Sequence, residues 1–352
     1  MSHNPRWWSL HSHQDRRLFL LTRNKITYRL RSYFIENDFV EVDPSIMQVS
    51  PGNETHLHAF QTRMETLSGR SETLYLHTSP EFACKKLLAA GENRIFTFSH
   101  TFRNRERSKL HHPEFTMLEW YRVHENYQSV MHDCIEIIRL AAETAGTRFF
   151  SYRGRKIDPF RKPQHLSLAE AFSEFAGIDL LSTIASDGFC DRDALKAQLK
   201  SRMIRFAEDD TWSDMFSRVL VEKIEPNIGH DRLAILDRYP AAEAALARPC
   251  PDNAKEAERF EIFACGVELA NAFGELTDPV EQEKRFLHEM DEKQRIYGER
   301  YPLDREFLEA LHVMPSASGA ALGFDRLAML AAGAEQIDQV IWAPVPDCFH
   351  EK

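Results

Sequence analysis

Residues 101–125, TFRNRERSKLHHPEFTMLEWYRVHE, join a cluster of cationic side chains to a segment rich in aromatic and acidic ones. The cationic and imidazole side chains of this stretch's first half are Arg103, Arg105, Arg107, Lys109, His111 and His112. The whole chain has a formal net charge of −10, which disfavours broad binding to nucleic acid. The cluster therefore indicates one focused anionic ligand, unless it is only a solvated charged loop.

The flanking segments, RIFTFSHTFR and FTMLEWYRVHE, are strand-like, so the stretch predicts a hairpin with a long basic tip. Alternation along the second strand places Phe115, Met117, Glu119 and Tyr121 on one face. Arginine in the tip suits phosphate oxygens, and the Phe115 ring suits a purine. A covered Glu119 needs a partner, for which an amino group is suitable. The hairpin thus predicts a nucleotide site beside a site for an amino group.

The composition is that of a globular protein. The 352 residues are 43% hydrophobic, enough for one large domain or two modest ones. The six cysteines form no C-x-x-C pair, which favours free thiols in a reducing compartment over structural zinc. The N-terminal residues lack the apolar core of a signal peptide, and no apolar run approaches the roughly 20 residues of a membrane span. We therefore expect a cytoplasmic protein that does not contact a membrane.

Periodicity in the first third of the chain predicts a mixture of helices and strands. An amphipathic helix is expected over residues 22–38, and a strand in FVEVDPSIM ends at Pro44. The strand TLYLHTS precedes a helix, PEFACKKLLAAG, with Ser79 as its N-cap and Gly91 after its end.

The rest of the chain predicts an insertion within the same domain. Ser167 and Glu170 form a capping box, and residues 166–253 are expected to be a mostly helical insertion. Strand patterns return near Phe260, and a long helix begins near Pro279. Strands near both ends with helices between them predict one α+β catalytic domain.

A second acidic strip lies in FEIFACGVELANAFGEL, whose glutamates are Glu261, Glu268 and Glu275. Their spacing of seven is odd, so an unbroken strand would alternate their faces; a turn or bulge at Cys265 and Gly266 would reset the register. Glu261 and Glu268 are then hard oxygen ligands for Mg²⁺ held together with phosphates. The alternative is a solvent-facing acidic strand.

The third notable segment, GAALGFDRLAML, has almost no side-chain bulk at its start. Gly319, Ala321 and Gly323 allow a ligand to lie close to the backbone. Arg326 falls in the first turn of the following helix, where a cation opposes the helix dipole. This conflict indicates a functional role, although a surface arginine is the alternative.

These segments, in this order, resemble the three motifs of the class II aminoacyl-tRNA synthetases, most closely those of the lysyl-specific core. The first motif would be FVEVDPSIM around Pro44, at the dimer interface of that family. TSPEFACKKLL and GVELANAFGELTDP extend the similarity over about residues 22–333. The resemblance implies an α+β catalytic core, with an antiparallel sheet flanked by helices, over residues 22–352. It also implies a homodimer and an N-terminal extension of residues 1–21.

The segments EPNIG, RYPAAEAALA, ERFEIF and SGAALGFDRLAML resemble a truncated branch of this family that has no anticodon-binding domain. That branch implies an AMP-forming ligase that uses ATP and Mg²⁺. It would activate lysine or (R)-β-lysine as an adenylate and transfer it to a lysine of elongation factor P, without tRNA. The alternatives are a truncated enzyme that charges tRNA, a non-catalytic paralog that binds amino acid or ATP, and an amide-forming synthetase acting on a free small molecule.

The resemblance also assigns roles to individual residues. Arg103 and Arg326 would be catalytic, and Glu261 and Glu268 would hold the metal. The implied ATP site comprises Arg103, Arg105, Glu106, His111, His112, Phe115, Glu268, Leu269, Gly323 and Arg326. The implied amino-acid site comprises Ser79, Glu81, Glu119, Tyr121, Asn271, Glu275 and Ala321. Within these sets, Arg103 would bind the α-phosphate, and Phe115 and Arg326 would enclose adenine.

At the amino-acid end, Glu81, Tyr121 and Glu275 resemble the group around the lysine ε-amino group. Glu119, with Gly52, would contact the other amino group. Ala321 stands where lysyl-tRNA synthetases resemble one another in having glycine. The extra methyl group fits a preference for a β-amino acid.

The basic tip departs from the family pattern at three positions. Arg105 stands where the family has a glutamate that contacts adenine, and the adjacent Glu106 is the candidate replacement. His112 replaces an asparagine. Leu110 replaces a synthetase-type arginine, for which Arg107 or Lys109 would compensate.

Overall fold

A computed structural model describes residues 6–186 and 188–346; residues 1–5 and 347–352 of the predicted extension and domain lie outside them. Its helices are α1 (Leu10–Glu36), α2 (Glu81–Ala89), α3 (Tyr127–Ala145), α4 (Leu168–Ala176), α5 (Arg192–Ser201), α6 (Trp212–Val219), α7 (Pro279–Tyr297), α8 (Arg305–Leu311) and α9 (Phe324–Ala332). The strands of the first half are β1 (Val40–Glu41), β2 (Met47–Gln48), β3 (Phe60–Glu65), β4 (Ser71–Leu76), β5 (Arg94–Phe102), β6 (Glu114–Val123), β7 (Phe150–Tyr152), β8 (Arg155–Ile157) and β9 (Gln164–Ser167). The later strands are β10 (Ala234–Pro240), β11 (Pro249–Cys250), β12 (Asn253–Ala264), β13 (Val267–Gly274) and β14 (Ala317–Gly323).

The central sheet has the strand order β1-β5-β6-β14-β13-β12-β10-β9, with β11 beside β12. Its strands are antiparallel except for the two outer pairs, β1 with β5 and β9 with β10. The predicted hairpin is formed by β5 and β6, where Thr97 pairs with Glu119. This arrangement confirms the expected α+β fold with an antiparallel sheet flanked by helices.

The two faces of the sheet are covered differently. Leu118 and Trp120 of β6 are buried on one face, in the main hydrophobic core with residues of α1, α3 and α9. The opposite face carries Phe115, Met117 and Tyr121, as alternation predicts. There α2 and α8 pack together beside Tyr121, while Phe115 and Met117 border an open cleft. The second face of the sheet therefore provides the floor of the candidate site.

The hairpin of β12 and β13 confirms the predicted break at Cys265 and Gly266. Both residues have positive φ angles, 54° and 74°, which form a tight turn. Across this turn Phe263 pairs with Glu268, and Phe263 shares a face with Glu261 by alternation, so the turn brings the two glutamates to one face despite the odd spacing. An extra residue in β13, Leu269, then shifts the register so that Glu261 pairs with Asn271.

Three predicted elements differ from the structure. Helix α1 begins at Leu10, after Ser9 as its N-cap, rather than at residue 22. The first turns of α1 are polar, so hydrophobic periodicity did not reveal them as helical. Arg16 in these turns is nevertheless buried and donates a hydrogen bond to Ile341 O. FVEVDPSIM forms only the short strands β1 and β2, because Pro44 has no N–H for a ladder.

The third difference lies in the insertion, where residues 234–240 form β10 of the central sheet instead of continuing the helical region. The helices between β9 and β10 have a hydrophobic core of their own, in which Phe216 stacks on Phe172 and Trp212. The capping box of Ser167 and Glu170 is present as predicted. The exact domain division stays a prediction.

Two further expectations concern the whole chain. None of the helices in the described part of the chain is long and apolar enough to cross a membrane. The cysteines described there are free thiols, and most of them are buried; Cys348 lies outside the described residues.

Candidate active site

A cleft of about 250 Å³ opens on the uncovered face of the sheet. The predicted residues that line it are Ser79, Glu81, Arg103, Glu106, His111, His112, Phe115, Glu268, Leu269, Asn271, Ala321, Gly323 and Arg326. Glu119, Tyr121 and Glu275 are buried in the wall behind these residues. Gly52 borders a small adjoining cavity. The structure thus brings most of the predicted nucleotide and amino-acid residues to one place.

Arg103 and Phe115 lie together at one end of the cleft. The guanidinium carbon of Arg103 is 5.4 Å from the centroid of the Phe115 ring, a cation–π distance. Arg103 Nε donates a hydrogen bond to Thr78 O at 3.3 Å. Among the described residues no carboxylate forms an ion pair with Arg103. Its charge is therefore available to an anionic ligand.

Arg326 holds the basic tip against the sheet. Its guanidinium donates to Leu110 O at 3.2 Å, to Glu268 O at 3.0 Å and to His111 Nε2 at 2.8 Å. Because His111 Nε2 accepts, the neutral imidazole carries its proton on Nδ1, which lies 2.8 Å from Ser108 Oγ. Burial, and then Arg326, lower the pKa of His111. These contacts give Arg326 a positioning role; its stacking on adenine stays a prediction.

His112 is also a structural anchor of the tip. Its imidazole is buried, Nε2 accepts from Val345 N at 3.2 Å, and Nδ1 lies 2.5 Å from Glu114 O. This arrangement requires the Nδ1–H tautomer. Both ring nitrogens of His112 therefore form hydrogen bonds with the backbone, and the residue also borders the cleft.

Arg105 is the predicted nucleotide residue that the structure does not bring into the cleft. Its φ of 64° turns the chain through the left-handed region, and its exposed side chain forms an ion pair with Glu299. The guanidinium also lies 5.9 Å from the centre of the Tyr297 ring. Arg105 instead borders a separate cavity, whereas the next residue, Glu106, lines the cleft.

Glu119 lies at the other end of the site and is almost completely buried. Ser79 Oγ donates to one carboxylate oxygen at 2.5 Å, and Tyr121 Oη donates to the other at 2.8 Å. Burial raises the pKa of Glu119 to about 8, with Glu81 as a further cause. A cationic group entering this end would therefore favour ionisation of Glu119.

Lys85 joins two of the predicted carboxylates. Its buried ammonium is 2.5 Å from a Glu81 oxygen and 2.6 Å from a Glu275 oxygen. Burial opposes the charge, but Glu275 and Glu81 outweigh it and raise the pKa of Lys85. Sequence reasoning missed this residue, although its i,i+4 spacing from Glu81 on α2 was a signal. The residues predicted to surround the substrate ε-amino group thus already contain one cation of the protein itself, the ammonium of Lys85.

Glu268 lines the cleft, whereas the described lining does not include Glu261, and the binding of a divalent cation by these two glutamates stays a prediction. Burial, and then Glu261, raise the pKa of Glu268 to about 7, so a cation there would relieve repulsion. Asn271 Oδ1, on the same face, is buried and has no hydrogen-bond partner in the described chain. Arg259 pairs with Glu261 at 2.7 Å. No cluster of three or more His, Cys, Asp or Glu side chains that could hold a metal ion occurs within residues 6–186 and 188–346.

Small residues of β14 form part of the floor. Ala321 pairs with Glu119, and Gly319 pairs with Tyr121. A Cβ atom on Gly319 would lie 2.3 Å from the Tyr121 ring and 2.7 Å from a Glu275 oxygen. Gly319 therefore leaves room for the side chains of Tyr121 and Glu275, while the predicted close approach of a ligand to this strand stays a prediction.

A loop missed by sequence reasoning completes the cleft wall. Glu54 and Leu57 line the cleft, and helix α7 fixes their backbone. Lys293 Nζ donates to Thr55 O at 2.9 Å and to Leu57 O at 2.6 Å. A Glu289 oxygen accepts from Thr55 N at 3.0 Å. Glu289 and Lys293 are four residues apart, the spacing of a shared helix face, but their target could not be read from α7 alone.

The central sheet, the Arg103–Phe115 pair and the acidic strip are the features on which the sequence resembles the class II aminoacyl-tRNA synthetases. The family model described as tRNA synthetases class II (D, K and N) matches residues 2–346, and the chain belongs to this family.

Particular relatives within the family are enzymes named elongation factor P–(R)-β-lysine ligase. The chain is 35% identical to that of Histophilus somni over 348 residues, covering 97% of this chain and 98% of the relative. It is 36% identical to the enzyme of the same name from Haemophilus influenzae, covering 91% and 93% of the two chains. For the Yersinia enterocolitica enzyme the identity is 36%, covering 93% and 94%.

Proposed function

We propose that this protein activates (R)-β-lysine, or lysine, with ATP and transfers it to a lysine side chain of elongation factor P. Besides the names of the relatives, one structural observation supports this proposal. A single cleft has Arg103, which forms no ion pair among the described residues, next to Phe115 at one end and the buried carboxylates around Ser79 at the other. The first end suits a nucleotide phosphate and base, and the second suits a dicationic amino acid.

At the nucleotide end, Arg103 would contact the α-phosphate, and Phe115 would stack on adenine. Glu106, rather than Arg105, would contact the base edge, because Glu106 lines the cleft and Arg105 borders a separate cavity. His111 would approach the outer phosphates. Mg²⁺ held by Glu261 and Glu268 would neutralise phosphate charge.

At the amino-acid end, Glu119 would bind one substrate amino group and Glu81 the other. Lys85 lowers the net charge of the Glu81–Glu275 pair from −2 to −1, so a single further ammonium balances it. The binding of both ammonium groups would thus nearly neutralise this buried region.

The first step needs no nucleophile from the protein. The substrate carboxylate attacks the α-phosphorus, pyrophosphate leaves, and an aminoacyl-adenylate forms. The chain contributes position and electrostatic stabilisation through Arg103. In the second step a lysine amine attacks the acyl carbon, an amide forms, and AMP leaves.

We also propose a homodimer in the cytoplasm. The segment around Pro44 exposes the apolar side chains of Val40, Met47 and Val49, which burial in an interface would remove from water. Sedimentation should detect two copies per particle. A substitution of Met47 by Asp should then favour the monomer.

Pyrophosphate exchange with lysine and with (R)-β-lysine tests the first step, and intact mass of elongation factor P tests the second. We expect exchange with at least one of the two amino acids, and a mass gain of one lysyl group on the factor. Labelling of tRNA with no mass change on the factor would instead support a tRNA-charging enzyme.

A further inference from the structure

A second cavity leads into the cleft from the surface. This groove has a volume of about 480 Å³ and lies between α6, α7 and the loop that precedes β3. It shares four lining residues with the cleft, which are Glu54, Leu57, Asn271 and Phe273. The groove also carries four carboxylates, those of Asp214, Glu243, Glu289 and Glu292, against the two guanidinium groups of Arg259 and Arg295. It therefore offers a cationic side chain a second route to the cleft.

Glu54 stands where the groove meets the cleft. Its side chain is partly buried, and within the described residues no hydrogen bond or ion pair reaches its carboxylate. Its backbone is nevertheless fixed, because Lys293 Nζ donates to Glu54 O at 3.4 Å and to the next carbonyl at 2.9 Å. A rigid backbone thus presents an unpaired carboxylate at the junction of the two cavities.

The neighbouring carboxylates are already occupied. Glu119 accepts from Ser79 and Tyr121, and Glu81 holds Lys85. Glu54 differs from them because its carboxylate has no such partner in the part of the chain that the structure describes.

The charged groups that face Glu54 are Arg103, Arg259, Lys293, Glu81 and Glu289. Burial raises the pKa of Glu54 to about 6, while Arg103 lowers it and Glu81 raises it further. The carboxylate is therefore ionised near neutral pH but is a stronger base than an exposed glutamate.

We propose that Glu54 accepts the proton of the acceptor lysine's ammonium, which reaches the aminoacyl-adenylate through this groove. This inference rests on the proposed function. The ammonium gives one proton to Glu54, and the neutral amine forms a C–N bond with the acyl carbon. The bond between that carbon and the phosphate oxygen breaks, and AMP leaves with the electron pair. The second nitrogen proton passes to the departing phosphate.

The test separates the two steps on Glu54→Gln, with Glu54→Asp as the matched variant that keeps the carboxylate. Each enzyme is loaded with ATP and amino acid, and the bound adenylate is isolated by rapid gel filtration. It is then mixed with elongation factor P or with hydroxylamine, a nucleophile that is neutral at pH 7.5 and needs no base.

We expect Glu54→Gln to keep pyrophosphate exchange and hydroxamate formation within about threefold of the native rates. Its transfer to elongation factor P should fall about 100-fold, the usual contribution of a general base. Glu54→Asp should keep at least about a tenth of the native transfer rate. The native transfer rate should fall as the pH drops through about 6. The transfer rate of Glu54→Gln should instead rise about tenfold for each unit of increasing pH, because the fraction of the acceptor lysine present as free amine increases.

Native-like transfer by Glu54→Gln would overturn the inference. Equal losses with hydroxylamine and the protein acceptor, or loss of pyrophosphate exchange, would also overturn it, since Glu54 would then act on the adenylate. Failure of the native protein to modify elongation factor P would instead refute the proposed function, before any variant is compared.

Discussion

The two ends of the cleft are built in opposite ways. The nucleotide end consists of cations and a ring on the β5–β6 hairpin, where Arg105, Arg107 and Lys109 are exposed to solvent. The amino-acid end consists of buried carboxylates on sheet strands and α2, already paired with Lys85, Ser79 and Tyr121. Of the three departures from the family pattern in the tip, Arg105 is exposed, Leu110 is partly buried and His112 is buried, so low cost at an exposed position explains only the first. The buried amino-acid end keeps the family pattern, except at Ala321, because the polar groups there form hydrogen bonds and ion pairs with one another.

The largest effect should come from the unpaired cation of the nucleotide end. Arg103→Ala should reduce pyrophosphate exchange about 1000-fold, because it removes a charge that stabilises the transition state. Thermal unfolding should change little, since the specific interactions of the Arg103 side chain with the described residues are one long hydrogen bond to Thr78 O and the cation–π contact with Phe115.

Arg105→Ala is the matched control, because this arginine on the same loop pairs with Glu299 outside the cleft. Its exchange rate should stay within about threefold of native. Equal losses in the two variants would mean that the general charge of the tip matters, and not the position of Arg103.

Removing the Lys85 cation from the amino-acid end should lower the stability of the protein and not only its activity. Lys85→Met leaves two buried carboxylates without their partner, so the free energy of unfolding should fall by about 3–5 kcal/mol. Urea denaturation measures this loss. Lys86→Met is the control, because Lys86 is partly exposed and pairs with Asp304 at the edge of α8. A loss for Lys85→Met no larger than for Lys86→Met would show that the buried pairing contributes little.

The affinity for the amino acid should depend on pH because the pKa of Glu119 is about 8. Below that pH the empty site holds Glu119 protonated, and a cationic ligand must displace the proton. The KM for the amino acid should therefore fall as pH rises from 6.5 to 8, by up to about tenfold per unit. The KM for ATP serves as the internal control and should change less. A Glu119→Gln variant whose KM has the native pH dependence would exclude Glu119 as its source.

The smallest effect should come from the floor of the site. Ala321→Gly removes one methyl group opposite Glu119 and should favour lysine over (R)-β-lysine by about threefold in kcat/KM. The comparison needs only pyrophosphate exchange with the two amino acids. A shift toward (R)-β-lysine would contradict the role of this methyl group in substrate choice.

The parts of the molecule that sequence predicted were those set by local pattern. Alternation in β6 was enough to place Phe115 and Tyr121 on one face, and Ser167 with Glu170 was enough to start α4. The turn at Cys265 also followed from its neighbours in sequence.

The missed features depend on partners distant in sequence. The position of Lys85 depends on Glu275, and that of Arg105 depends on Glu299, each about 190 residues away. Strand β10 was read as part of a helical region because its role is set by pairing with β12 and β9. The loop at Glu54 carries no local signal, since Glu289 and Lys293 of α7 hold it in place.

The central claim is that one cleft forms an adenylate and passes its acyl group to a protein lysine. Its most direct test is a single turnover in which purified enzyme, loaded with ATP and (R)-β-lysine, is mixed with elongation factor P and followed by intact mass. We expect one lysyl group on the factor for each adenylate consumed, and no product from the Arg103→Ala enzyme. An adenylate that forms but acylates only tRNA, or only water, would contradict the account.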